Sequence, residues 1–302
     1  MTPVLEARGL EIAYGRARAV DGVDLEVRQG EIVALVGESG CGKSSLARAL
    51  VGLVKPTRGE IRHQGAPLDY RRLKEYRRHV QLILQDPGGA LNPRQTVQAA
   101  VAEGPRLHGL KGDRVTSALA RAGLRPPEDY LRRYPHELSG GQQQRVVIAG
   151  ALALEPSVIV ADEPVASLDA SVRGEILKLI LGLRDELGMS ALVVTHDLGL
   201  AWNIADRVAV MYLGRIVETG TVEEVLIRPR HPYTRAMLAA ASGTATPLQG
   251  EPPDPARIPP GCRFHPRCAS RTDECASIDP PVLAGVACHL TPLHLTPLKE
   301  IS

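Results

Sequence analysis

The chain has 302 residues, 44% hydrophobic and 23% charged, with a formal net charge of +2. Those proportions exclude general disorder, and the near-zero balance excludes a chain-wide electrostatic pull toward nucleic acid or acidic lipid. Aromatic residues are only 3%, with one Trp and one Phe, so base-stacking platforms are not expected and any bound phosphate must be held locally.

From the N-terminus, Met1–Arg8 places charges where a secretion signal needs an apolar stretch, and no run of 18 apolar residues follows anywhere. A soluble, cytoplasmic chain is expected. The run Glu31-Ile-Val-Ala-Leu-Val36 is short and continuously apolar, as in a strand buried on both faces. It leads directly into Gly37-Glu38-Ser39-Gly40-Cys41-Gly42-Lys43-Ser44 and a helical Ser45-Leu46-Ala47-Arg48-Ala49-Leu50. This is the phosphate-loop pattern G-x-x-x-x-G-K-[ST] in its strand-to-helix context. Its glycines let backbone N–H groups curl around phosphates, Lys43 adds a charge near the β- and γ-phosphates, and the Ser44 hydroxyl suits Mg²⁺. ATP-binding positions are therefore expected from Gly37 to Ser45, with Cys41 read as a small tolerated side chain.

Val80-Gln-Leu-Ile-Leu84 reads as a second buried strand, and the polar, Arg-rich, helix-prone stretch from Gly104 to Tyr134 as an insertion. Val158-Ile-Val-Ala-Asp162 is an apolar strand that ends in a carboxylate, which delivers a Mg²⁺-organising aspartate to a sheet edge. Glu163 follows at once and points elsewhere, so it can accept a proton from an attacking water. Ala191-Leu-Val-Val-Thr195 is a fourth strand. All but the Val80 strand are followed by helix-like stretches, as in βα units of a largely parallel sheet. Proline then marks a boundary near residues 230 to 250: 13 of 24 prolines and four of five cysteines lie from Pro229 onward. Residues 242–261, with two Pro-Pro pairs, read as a linker.

Leu138-Ser139-Gly140-Gly141-Gln142 has no general phosphate-loop explanation. It resembles the signature motif of ATP-binding cassette (ABC) ATPases and lies upstream of Asp162-Glu163-Pro164, in that family's order. Gln85 in Leu84-Gln85-Asp86-Pro87, Ser167-Leu168-Asp169, and His196 after Val193-Val194-Thr195 resemble the Q-loop, D-loop and switch histidine. The resemblance covers roughly residues 4 to 230. It implies an α/β fold: a RecA-like P-loop NTPase core, an antiparallel β-subdomain and a helical subdomain near residues 90 to 155, together a nucleotide-binding domain over residues 1–230.

By the same resemblance two cassettes pair head-to-tail, so that Ser139, Gly140, Gly141 and Gln142 of one face the γ-phosphate held by the other's Lys43. Glu163 is the implied general base, His196 a bridge to the γ-phosphate, Gln85 and Asp162 companions of Ser44 at Mg²⁺, and Tyr14 an adenine-stacking aromatic. Gly150 departs from the pattern, standing where the family usually has arginine.

Leu91-Asn92-Pro93 after the Gln85 motif, and His231-Pro232-Tyr233-Thr234-Arg235, resemble the ATPase subunits of oligopeptide, dipeptide and nickel importers. So does the tail, residues 231–302, with Cys262-Arg263-Phe264-His265-Pro266-Arg267-Cys268, Cys275 and Cys288-His289. Four cysteines in a reducing compartment suit a metal centre more than disulfides. Their spacing lacks the close pairs of structural zinc, which favours a [4Fe–4S] cluster, with Zn²⁺ or free or disulfide-forming thiols as alternatives and His265 and His289 as substitute ligands. Implied partners are a second, similar ATPase subunit, two transmembrane permeases and an extracytoplasmic peptide-binding protein, with no nucleic acid, and this chain is expected at the cytoplasmic face of the membrane. Nickel in place of peptide, or a soluble ATPase outside transport, are the alternatives.

Overall fold

The computed structural model describes residues 3–166, 168–242 and 250–290. Ser167 of the expected D-loop, residues 243–249 of the expected linker and the last twelve residues lie outside them.

Alternating burial builds the first sheet. Strands β1 (Pro3–Tyr14) and β2 (Ala17–Arg28) bury Leu5, Ala7, Leu10 and Ile12, and Val20, Val23, Leu25 and Val27, while charged residues such as Arg8 and Asp24 face out. They pair antiparallel around a turn where Gly15 has φ +61°. β4 (Arg58–His63) and β5 (Ala66–Pro67) complete the order β2-β1-β4-β5.

The second sheet has the order β11-β12-β10-β9-β3-β8-β7-β6. Its parallel part comprises β3 (Ile32–Val36), β6 (Val80–Ile83), β7 (Val158–Asp162), β8 (Ser190–Thr195) and β9 (Arg207–Tyr212). Every residue of β3, β7 and β8 is buried, which is why these strands read as unbroken apolar runs. β10 (Arg215–Thr221) turns back antiparallel on β9, and the small hairpin of β11 (Val282–Leu283) and β12 (Val286–Ala287) follows it.

Helix α1 (Lys43–Leu50) leaves β3, and α2 (Leu73–His79) enters β6. Between β6 and β7 lie α3 (Pro87–Ala90), α4 (Val97–Leu107), α5 (Val115–Arg121), α6 (Glu128–Leu131) and α7 (Gly140–Leu152). The helix-prone stretch from Gly104 to Tyr134 falls within this run. α8 (Ala170–Leu187) follows β7, α9 (Leu198–Ile204) follows β8, and α10 (Pro232–Ala241) follows β10. Helix starts are chemically marked: Thr96 and Asp197 accept backbone N–H bonds from Ala99 and Leu200, and Gly188 in the left-handed region stops α8.

Three apolar clusters result. One lies between the helices and one face of the central sheet, through residues such as Val146, Ile148, Ile159 and Ile176. A second fills the space between the antiparallel sheet, α1 and the other face. In the third, α10 and the tail cover β9 and β10, with Tyr212, Tyr233 and Phe264 at its centre. Residues 250–261, the described part of the expected linker, carry no helix or strand. Among the described residues no helix is long and apolar enough to cross a membrane.

Candidate active site

Strands β3, β8, β7 and β6 are neighbours and parallel, so the segments that leave their carboxyl ends share one sheet edge. Those segments carry the phosphate loop, His196, Asp162 with Glu163, and Gln85. The register is tight: Val36 lies opposite Thr195, and Asp162 opposite Val194.

Two glycines fix the loop's shape by their lack of a side chain. A Cβ at Gly37 (φ +154°) would stand 2.2 Å from the Met211 carbonyl oxygen, and one at Gly42 (φ +111°) 1.9 Å from that of Ala19. Gly42 caps α1 at its N-terminus, where free N–H groups favour an anion. The buried Lys43 ammonium spans the loop, donating to the carbonyls of Gly37 at 2.7 Å and Glu38 at 2.9 Å. Cys41 Sγ sits 3.7 Å from Lys43 Nζ, and burial pushes its thiol pKa up. It is a packed side chain, as expected.

Ser44 Oγ donates to Asp162 Oδ1 at 3.2 Å, joining the loop to the end of β7. Burial raises the Asp162 pKa, with the Ser44 bond opposing and the Glu163 charge adding to the shift. Glu163 takes a left-handed backbone, φ +51°, uncommon for a residue other than glycine. Its N–H donates to the Val194 carbonyl at 2.9 Å, and its Oε1 lies 2.7 Å from His196 Nδ1. Thr195 Oγ1, 3.5 Å from Glu163 Oε2, adds a hydroxyl that sequence reasoning did not single out. The His196 side chain is 67% exposed and Glu163 14%, so the ring can reach outward while the carboxylate stays oriented. Gln85 follows β6 and is exposed at the same edge.

Ser139 is the N-cap of α7 and forms a reciprocal capping box: its Oγ accepts from Gln142 N–H at 3.3 Å, and Gln142 Oε1 accepts from Ser139 N–H at 3.0 Å. A Cβ at Gly141 would meet a Val172 methyl at 2.6 Å, so close packing on α8 demands glycine there. Gly140 is exposed at this helix start. Gly150, by contrast, has nothing within 4 Å of a built Cβ. Tyr14 ends β1 with 51% of its surface exposed, and Asp169 is the N-cap residue of α8.

The tail reaches the phosphate loop, and this was not expected. The Arg267 guanidinium grips Glu38 with two bonds, Nη1 to Oε2 at 2.7 Å and Nη2 to Oε1 at 3.0 Å. Tyr233 Oη accepts the Glu38 N–H at 2.9 Å. Both residues lie in stretches that carry the subfamily resemblance, yet nothing local in either stretch points to Glu38. A second tail arginine, Arg263, bonds Asp21 and the Leu213 carbonyl.

Among the described residues the geometry gives no support to the expected metal centre on the four tail cysteines. Cys262 N–H donates to the Cys275 carbonyl at 2.9 Å, and Thr272 Oγ1 lies 3.3 Å from Cys275 Sγ. Burial raises the pKa of Cys262 and Cys268 and pushes that of Cys288 to about 11. Tetrahedral zinc, with Zn–S near 2.3 Å, draws its sulfurs to within about 4 Å of one another. Among the described residues no group of three or more His, Cys, Asp or Glu is placed to hold a metal ion. The proposed substitutes are engaged elsewhere: His265 Nδ1 with the Cys262 carbonyl at 2.9 Å, and His289 Nε2 with that of Ile278 at 2.8 Å.

Comparison with known proteins agrees with this geometry. The ABC transporter family profile matches residues 20–166, and the profile of the oligopeptide/dipeptide transporter C-terminal region matches residues 217–275. The dipeptide transport ATP-binding protein DppF of Haemophilus influenzae is 40% identical over 305 residues, covering 92% of each chain. A putative peptide import ATP-binding protein of Brucella ovis is 42% identical over 298 residues, covering 92% of this chain and 93% of its own. Among solved structures, cbiO1 of Clostridium perfringens, part of the ABC transporter complex cbiONQ, superposes with TM-score 0.68 at 34% identity over 74% of this chain and 91% of its own. The ATP-binding cassette MJ0796, solved as a dimer in a post-hydrolysis state bound to ADP and Pi, gives TM-score 0.64 at 30% identity over 72% of this chain and 98% of its own.

Proposed function

This chain belongs to the ABC transporter ATPases, and from that membership we propose that it binds and hydrolyses ATP to energise peptide import through a membrane transporter. The observation that carries the substrate class is the similarity to peptide and dipeptide import ATP-binding proteins over about nine-tenths of the chain, tail included. The division that fits this reading is a cassette over residues 1–230, with its helical subdomain near 90–155, and an importer-type extension over 231–302.

In the mechanism, MgATP is the substrate. The loop from Gly37 to Ser45 would hold its phosphates, Lys43 would turn its ammonium to the β- and γ-phosphates, and Ser44, Gln85 and Asp162 would hold the magnesium, which would offset phosphate charge. Water attacks the γ-phosphorus in line with the departing ADP oxygen. Glu163 takes the proton of that water, with His196 holding the carboxylate and meeting the γ-phosphate. The bond of 2.7 Å between His196 and Glu163 supports these roles. Tyr14 offers its exposed ring to adenine. Ser139, Gly140, Gly141 and Gln142 present a helix N-terminus to the nucleotide of a second cassette, with Asp169 beside that interface.

Permease subunits and a partner ATPase follow from the family. The finer composition we infer is a similar but distinct ATPase subunit, two permeases and an extracytoplasmic binding protein, with this chain at the cytoplasmic face. A [4Fe–4S] cluster on Cys262, Cys268, Cys275 and Cys288 rests on the subfamily resemblance alone. Iron and labile sulfide in anaerobically purified protein test it. No catalytic step depends on it.

The deciding experiment is uptake of labelled dipeptides and oligopeptides, with nickel in parallel, in cells lacking this gene and complemented with the native chain or Glu163→Gln. The expected outcome is peptide uptake with the native chain alone. Nickel uptake without peptide uptake would replace the substrate, and independence of both would remove the importer reading and leave the ATPase.

A further inference from the structure

We propose that Arg267 of the tail is a positioning residue of the nucleotide site: its guanidinium neutralises the Glu38 carboxylate and holds it back from the phosphates, so the tail sets the loop's affinity for MgATP. The inference rests on the ATPase reading above and extends the site to a segment outside the cassette motifs.

Glu38 is the second residue of the phosphate loop, and an unpaired carboxylate there repels the charges of a nucleotide triphosphate at short range. The Arg267 fork meets both of its oxygens, the bidentate geometry that a planar guanidinium provides and an ammonium does not. The Arg267 side chain is only 5% exposed, while that of Glu38 is 26% exposed, so solvent reaches the pair from the carboxylate side. Its direction is fixed from behind: Tyr212 Oη accepts from Nη1 at 3.4 Å, and the guanidinium lies 5.9 Å from the centre of that ring. Tyr233, fully buried, holds the backbone of the same loop residue through the Glu38 N–H. Phe264 packs against both tyrosines with ring centroids 5.3 and 5.4 Å away. Tail and α10 thus hold one loop residue by its side chain and its main chain together.

The test uses the full chain and equilibrium binding of MgATP to four proteins: native, Arg267→Ala, Glu38→Gln and the double variant. Arg267→Ala is expected to weaken binding about fivefold or more, and the double variant to bind within about twofold of Glu38→Gln, because removing the carboxylate removes the need for its partner. In the assembled transporter the same substitution raises KM for ATP and leaves kcat within about twofold. Native-like binding by Arg267→Ala, or a double variant as weak as Arg267→Ala alone, overturns the proposal. Should Arg267→Ala fail to fold, Arg267→Lys with and without Glu38→Gln carries the same comparison, since it keeps charge and bulk but loses the fork. The native protein is the control for the reading beneath: if it binds no MgATP, the ATPase assignment fails, whereas native binding unaltered by Arg267→Ala sinks only the positioning role.

Discussion

Single residues divide by how far away their reason lies. Gly37, Gly42, Lys43, Ser44, Asp162 and Glu163 were legible in the sequence because each is specified by its immediate neighbours: a strand end, a turn, a helix start. Glu38 and Arg267 were not, because their partnership spans 229 positions and neither residue type is unusual where it stands. The metal expectation finds no support among the described residues for a related reason, since spacing counts residues and says nothing about how the fold gathers their side chains. Gly150 is a residue whose effect is local. With open space around a built Cβ and a place inside α7, Gly150→Ala is expected to raise stability by about 0.5–1 kcal/mol by restricting the unfolded chain. A higher urea midpoint at unchanged slope checks it.

Among the elements, the strands buried on both faces were readable as continuous apolar runs, and β3, β6, β7 and β8 all begin or end within a residue or two of those runs. β9, Arg207–Tyr212, is buried from Val208 onward but was not singled out, since it opens on an arginine and leads into no chemical motif. β1 and β2 were hidden because half of each faces solvent and carries charge. The start of α10 holds the clearest pH response. His231 is its N-cap: Nδ1 accepts the Tyr233 N–H at 3.0 Å while the ring also bonds the Ala287 backbone. Burial pushes its pKa down from 6.5 to about 4. The folded state therefore disfavours the proton, and the stabilisation is present above the unfolded value and lost as pH falls from about 6.5 toward 4. By linkage the loss reaches about 3 kcal/mol. Denaturant midpoints measured from pH 7 to 4.5 should fall for the native chain and flatten for His231→Asn, which keeps a capping acceptor without a titrating ring.

For the whole molecule, the tail is joined to the cassette by the Arg267–Glu38 and Arg263–Asp21 pairs, by the β12–β10 pairing and by an aromatic cluster centred on Phe264. Phe264, 3% exposed, meets Tyr212, Tyr233 and His231 in the third core cluster. Phe264→Ala is expected to cost about 3–5 kcal/mol, the usual loss for a buried aromatic, and thermal unfolding followed by calorimetry reads it. If the loss appears as a separate low-temperature transition, tail and cassette unfold independently. A single shifted transition shows one cooperative unit. No composition rule pointed to this arrangement, because a proline-rich, cysteine-rich segment reads as an appendage until the one phenylalanine of the chain is seen between two tyrosines.

The hairpin of β11 and β12 does more than lengthen the sheet. It bonds to β10 where Glu218 faces Val286, and the Thr219 N–H donates to the Gly285 carbonyl at 2.8 Å. Without it, β10 would present a row of open backbone donors and acceptors to solvent, the template on which foreign strands add. A chain cut after α10 thus acquires a sticky border, and self-association of such a fragment is the hazard that these two short strands suppress.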